Sequence, residues 1–339
     1  MWRSPVAQRS GGPEVASSNL VIPTKAVDIR LLFLYTKHTM ALKGKYEQSH
    51  WAVKIIQWLG CTLLLSILAA GSMSFFEQPL SIHSLKWVQF FQSIAMFLLP
   101  PLCVAYLWSK QPVVWLKLQP IPKGKRGKPI VWAILLMLVA LPAINLLGYL
   151  NQQMTLPTFL EPLEAWMKAQ EETAKYLTEQ FMSVTTFGGL IINLFLMAIL
   201  PAVAEELTFR GVLMNLLEAK GKRVYLAIWV TAIIFSAIHM QFYGFVPRML
   251  MGALFGYMLV WTGSLWIPIL MHLTNNAMAV LLYFVSLRAG WNMDKMDAIG
   301  TSNTLWLGIV SLVLTVVGIY AFRRSTTMSN ASSRMSSGN

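Results

Sequence analysis

Eight stretches of sustained apolar character run along this chain, at roughly 51–76, 87–108, 129–150, 188–218, 224–243, 247–262, 264–286 and 304–322. A helix that crosses the hydrocarbon core needs about 20 mostly apolar residues at 1.5 Å rise each, and several of the runs approach that length. Trp87, Trp108, Trp132, Trp261, Trp266 and Trp306 fall near run ends, where amphipathic rings settle at the membrane interface. The pattern predicts an all-α fold, a polytopic membrane helix bundle of about eight transmembrane helices over 51–324. Residues 1–50 mix Ser, Pro, Gly and charge without sustained periodicity and read as a flexible tail, with Met40 as an alternative start. The Ser-rich stretch 325–339 reads as a disordered tail. A signal peptide is the other reading of the first run, but its length and late position favour a retained span.

Composition agrees. The chain is 56% hydrophobic and only 12% charged, against about 25% charged residues in soluble domains. The net charge of +13 comes without a basic helix or any nucleic-acid-binding signature, so no nucleic-acid partner is expected. Its placement points to topology instead. Lys110, Lys117, Lys123, Lys125, Arg126 and Lys128 lie between the second and third runs with no acidic residue among them, which assigns that loop to the cytoplasm. Eight spans then put both termini inside. Lys220, Lys222, Arg223, Arg323, Arg324 and Arg334 fall inside as well. The segment 152–186, with Glu161, Glu164, Glu171, Glu172 and Glu179 against Lys168 and Lys175, falls outside and reads as an amphipathic helix on the membrane. Cys61 and Cys103 sit in apolar runs and carry neither a disulfide framework nor a thiolate site.

An ionisable side chain near the middle of a span costs several kcal/mol unless it is paired or faces a polar cavity. Few residues here meet that condition. Glu205 and Glu206 are the acids well inside a run, and His239 and His272 the histidines. Glu206 precedes Arg210 by four, so the two share a helix face as an ion pair, while Glu205 points about 100° away. Phe235 and His239 share a face of the fifth run, and His272 and Asn276 a face of the seventh. Counted from the inner ends of their helices, Glu205, His239 and Asn276 lie about 20, 22 and 18 Å deep, and His272 about 12 Å. These depths let them meet in one bundle interior.

The ordered strings Glu205-Glu206-x-x-x-Arg210, Phe235-x-x-x-His239 and His272-x-x-x-Asn276 resemble the three motifs of the CPBP family, also called Abi, which includes the CAAX prenyl endopeptidases and many bacterial relatives. The resemblance covers a core at 188–286, less than a third of the chain. It implies an intramembrane CAAX-type endopeptidase, commonly classed as a metalloendopeptidase. It also implies a membrane protein or lipid-modified peptide as substrate, and a bacterial cytoplasmic membrane as the expected location rather than the endoplasmic reticulum. Carried over by motif, Glu205 is the general base that activates water, assisted by His239. His272 and Asn276 hold the oxyanion, and Glu206, Arg210 and Phe235 are structural support.

Zinc held by Glu205, His239 and His272 is the alternative. It lacks an obvious base, because Glu206 is paired to Arg210 and so less basic; the reading here therefore requires no cofactor. Two other classes compete with a peptidase. A proton-coupled transporter also places Glu and His within spans, but no inverted repeat is apparent. A catalytically silent scaffold or immunity protein is the other, against which the presence of every motif residue argues.

Overall fold

In the computed structural model, residues 42–71, 74, 81–121, 127–218, 223–291 and 298–336 are described. Nine longer helices account for most of them. They are α1 (Trp51–Gly71), α2 (Ile82–Trp108), α3 (Gly127–Gln152), α4 (Glu161–Met182), α5 (Phe187–Leu217), α6 (Val224–Ala237), α7 (Phe245–Thr262), α8 (Trp266–Ala289) and α9 (Leu305–Ser336). No strand occurs among the described residues. Seven helices are long and apolar enough to cross a bilayer, and α6, at 14 residues, is the shorter apolar helix that corresponds to the fifth run. Large apolar side chains on the outside, such as Ile56, Leu63 and Leu68 at 60% exposure or more, would be an aggregation surface in water and are at home in lipid. The chain is an integral, multi-pass membrane protein.

Two buried clusters hold the bundle. One gathers Trp108, Leu207, Phe209, Ile228, Phe235 and Leu259 from α2, α5, α6 and α7. The other gathers Met137, Phe255, Met258, Met271 and Phe322 from α3, α7, α8 and α9. Helix α8 contributes to both through Ile269 and Met271, and so does α7. The contact of α7 with α6 is close because Gly252 and Gly256 leave no room for more: a Cβ on Gly252 would stand 3.3 Å from the Ala232 Cα, and one on Gly256 3.1 Å from Ile228. Small residues permit this approach in membrane helices. Gly263, by contrast, has open space around it and caps α7 at φ +69°, a left-handed turn that favours glycine.

Loops are tied together at two ends. At one, Leu265 N–H donates to Lys117 O (2.8 Å) and Trp266 Nε1 to Leu118 O (2.9 Å). Asn215 bonds Trp115 O (3.0 Å) and Lys117 pairs with Glu218 (3.2 Å). At the other, Asn151 Oδ1 accepts Val246 N–H (2.8 Å) and Glu171 accepts Tyr243 N–H (3.3 Å). Within α4, Glu164 accepts from Lys168 (2.9 Å) and from Leu156 N–H (3.0 Å), which holds its carboxyl below the usual value, the lysine being the larger cause.

Proline within α3 is accommodated by a neighbour. Pro142 interrupts the helix, and Ser311 of α9 accepts from Ala143 N–H (3.0 Å) while donating to Val139 O. A hydroxyl from an adjacent span is one of the ways a membrane helix satisfies backbone freed by proline. Helix α9 then continues to Ser336, where the sequence predicts a disordered tail from 325. Extending an existing helix costs far less than nucleating one. The N-terminal residues 1–41, the basic residues Lys123, Lys125, Arg126, Lys220 and Lys222, and Asp294 and Asp297 lie outside the described residues.

Candidate active site

Helices α5, α6, α7 and α8 surround a cavity of about 250 Å³ lined by Glu205, His239, His272 and Asn276 together with Gln241 and Arg248. The four polar residues singled out from sequence therefore come to one place. Phe235, Met251, Phe255 and Asn275 complete the lining.

Helix α5 supplies the acids, and it does so on a distorted backbone. Leu200–Glu206 is α-helical and Leu207–Leu213 is a π-helical stretch, a feature that recurs at functional sites. Glu206 is fully buried and its Oε1 accepts from Arg210 Nη1 (2.7 Å) and from His272 Nδ1 (3.0 Å). Arg210 also donates from Nη2 to Gly252 O (2.8 Å) and stacks 4.7 Å from the centre of the Phe235 ring and 5.4 Å from that of Phe255. Glu206 and Arg210 thus tie α5 to α7 and α8. Glu205, on the next face, keeps 18% of its side chain exposed and lines the cavity.

The histidines are each fixed through one ring nitrogen. His272 Nδ1 meets the Glu206 carboxylate, so it carries a proton and leaves Nε2 towards Glu205, 3.9 Å from Oε2. That separation exceeds a direct hydrogen bond and suits a bridging water. His239 Nδ1 meets Phe235 O at 2.7 Å; a carbonyl can only accept, so Nε2 is again the free nitrogen. Phe235 packs edge-on against both rings, at 5.0 and 6.0 Å, and Phe255 stacks on His272 at 5.5 Å. Asn275 donates to Asn276 Oδ1 (3.2 Å), which leaves the Asn276 amide N–H groups for the cavity.

One sequence expectation needs correction. His239 is not on the helix of the fifth run: α6 ends at Ala237, His239 lies in the turn that follows, and Met240 takes φ +54°. The spacing of four still brings it to Phe235, because its ring bonds the carbonyl left unpaired at the helix end. Among the described residues no group of three His, Cys, Asp or Glu side chains is placed to hold a metal ion. The polar groups of the lining to which the motifs assign no part are Gln241, Arg248 and Asn275. Arg248 donates from Nη2 to Gln241 Oε1 (2.7 Å) and from Nη1 to Gln241 O (3.3 Å). A charged residue inside an apolar run was the one signal available.

Gly252 links the packing to the site. A Cβ there would stand 3.2 Å from both Arg210 Nη2 and the Phe235 ring, and neither can retreat. Gly252→Val is expected to cost about 1–3 kcal/mol by overpacking, read as a lowered melting temperature of the purified protein in detergent. An unchanged melting temperature would mean that α6 and α7 separate freely.

Comparison with known proteins points the same way. A family model described as type II CAAX prenyl endopeptidase Rce1-like matches residues 187–278, a span that contains every motif residue. An uncharacterized protein, YpbD of Bacillus subtilis, is 29% identical over 89 residues, which is 25% of this chain and 42% of that protein. The chain thus spans about two fifths of the length of this curated relative. No solved structure matches. With the motif residues brought together around one cavity, the stretch 187–278 is similar to the Rce1-like type II CAAX prenyl endopeptidase family.

Proposed function

We propose that this protein is an intramembrane endopeptidase that hydrolyses a peptide bond of a membrane protein or lipid-modified peptide with a glutamate-activated water. The observation that carries the reading is the single cavity shared by Glu205, His239, His272 and Asn276. Glu205 takes a proton from water, and the hydroxide oxygen forms a bond to the scissile carbonyl carbon. His239, with Nδ1 committed to Phe235 O, holds that water through Nε2. The carbonyl electrons move to oxygen, where the Asn276 amide N–H meets the developing charge. His272, held through Nδ1 by Glu206, lines the same cavity and keeps the reacting carbonyl beside Asn276. The C–N bond then breaks and the proton on Glu205 passes to the leaving amine, giving a carboxylic acid and an amine. Oriented donors of this kind in a water-poor site are the largest electrostatic contribution to acyl transfer.

The family's common classification implies zinc, and the arrangement of donors does not fit it; each step above uses the chain's own groups. Purified protein in liposomes, given quenched fluorescent peptides with and without a C-terminal lipid, is expected to cleave at a rate unaffected by a strong chelator. Loss of cleavage on chelation and its return with added zinc would overturn the metal-free reading. Absence of cleavage across both peptide sets by a folded protein would count against the peptidase itself.

A further inference from the structure

Beside the catalytic cavity lies a second one of about 480 Å³, an apolar groove between α3, α6, α7 and α9. Its walls include Ala140 of α3, Trp229 of α6, Leu254 of α7 and Val316 of α9. Along α7 it runs from Pro247 to Trp261, about 21 Å of helix and more than half of the roughly 30 Å hydrocarbon core. We propose that this groove binds one anionic glycerophospholipid of the surrounding bilayer, with an acyl chain along it and the phosphate on Arg323.

Charge and polarity select that occupant. Arg323 lines the groove at its Trp261 end, no acidic residue lines any part of it, and Arg324 follows. The Arg323 guanidinium stands 6.0 Å from the centre of the Trp261 ring. An arginine beside an interfacial tryptophan at the mouth of an interhelical slot is the arrangement that receives a lipid phosphate. Inside the groove, the buried Thr315 Oγ1 has no hydrogen-bond partner, which asks for an explanation. Thr315 precedes Arg323 by eight residues, about 12 Å along the axis, and a helical side chain leans back towards the N-terminus. A phosphate on Arg323 thereby brings the ester oxygens of the same lipid within range of that hydroxyl.

The other end of the groove settles the direction. Met251 lines both this groove and the catalytic cavity, and it lies ten residues from Trp261, about 15 Å. An apolar tail entering from the cavity would end against a guanidinium, whereas a phospholipid meets it with its phosphate and sends its tail towards Met251. The bound lipid would therefore form part of the wall beside the catalytic cavity.

Native mass spectrometry and thermal unfolding of the full-length protein, delipidated in detergent and titrated with phosphatidylglycerol or phosphatidylcholine of identical chains, test this without any activity readout. One retained phosphatidylglycerol and a raised melting temperature are expected, with phosphatidylcholine weaker by about tenfold or more because its trimethylammonium offsets the phosphate charge that Arg323 meets. Arg323→Gln should erase the difference between the lipids. Val316→Trp, at a position 59% exposed where the fold tolerates bulk, should lose retention of both. Equal retention of the two lipids, or unchanged behaviour in both variants, would show only nonspecific annular lipid and overturn the proposal.

Discussion

Glu205→Gln is expected to abolish peptide cleavage while leaving the protein folded. Glutamine keeps the shape of the side chain and its place in the cavity wall, but it cannot accept a proton from water. A positioned general base is worth about 10²–10⁴-fold, and here the same group must return the proton to the leaving amine, so the loss should reach at least the upper end of that range. Glu205 keeps part of its surface open to the cavity, and its nearest recorded ionisable partner is His272 at 3.9 Å. The substitution therefore leaves no buried charge stranded, and the melting temperature should move by no more than a degree or two. The check is kcat on a lipid-modified peptide, alongside thermal unfolding of the same preparation. Activity within a few-fold of wild type would remove Glu205 from the chemistry and return the site to a purely structural reading.

The span pattern and the motif residues were readable because both rest on short-range rules. Runs of about 20 apolar residues and tryptophans at their ends follow from bilayer thickness, and the depths of Glu205 and Asn276 along their helices follow from helical rise. The pairing of Glu206 with Arg210 followed from a spacing of four, and the structure adds a bond that no spacing encodes, from His272 Nδ1 to Glu206. That bond crosses from α8 to α5 and depends on how the helices pack. The end of α6 at Ala237 was equally hidden, since Ile238 and Met240 are as apolar as the helix before them. Only the left-handed backbone at Met240 and the short 3₁₀ turn Phe242–Gly244 mark the change. Gln241 and Asn275 reach the cavity through that loop and through the packing of α8, and an uncharged amide in a membrane chain gives little signal on its own.

Arg210→Ala should destabilise the protein more than any change at the cavity surface. Arg210 is 1% exposed and Glu206 fully buried, so removing the guanidinium leaves a carboxylate in the bundle interior with His272 as its remaining partner. Breaking one side of a buried pair costs about 3–5 kcal/mol, and here the Gly252 carbonyl and the faces of Phe235 and Phe255 lose their contact as well. A fall in melting temperature large enough to unfold much of the protein at 37 °C is expected. The double variant Glu206→Gln with Arg210→Met separates the two roles of the pair. It removes both charges, and replacing a buried ion pair by groups of similar volume is often close to neutral for stability, so most of the lost melting temperature should return. Cleavage should not return, because a neutral amide no longer holds the His272 ring through Nδ1 by charge. Recovery of stability together with activity would mean that Glu206 and Arg210 serve packing alone. Failure of the double variant to regain stability would mean that the pair is the tie between α5, α7 and α8 on which the bundle depends, and that its charge is what the neighbouring helices are built to receive.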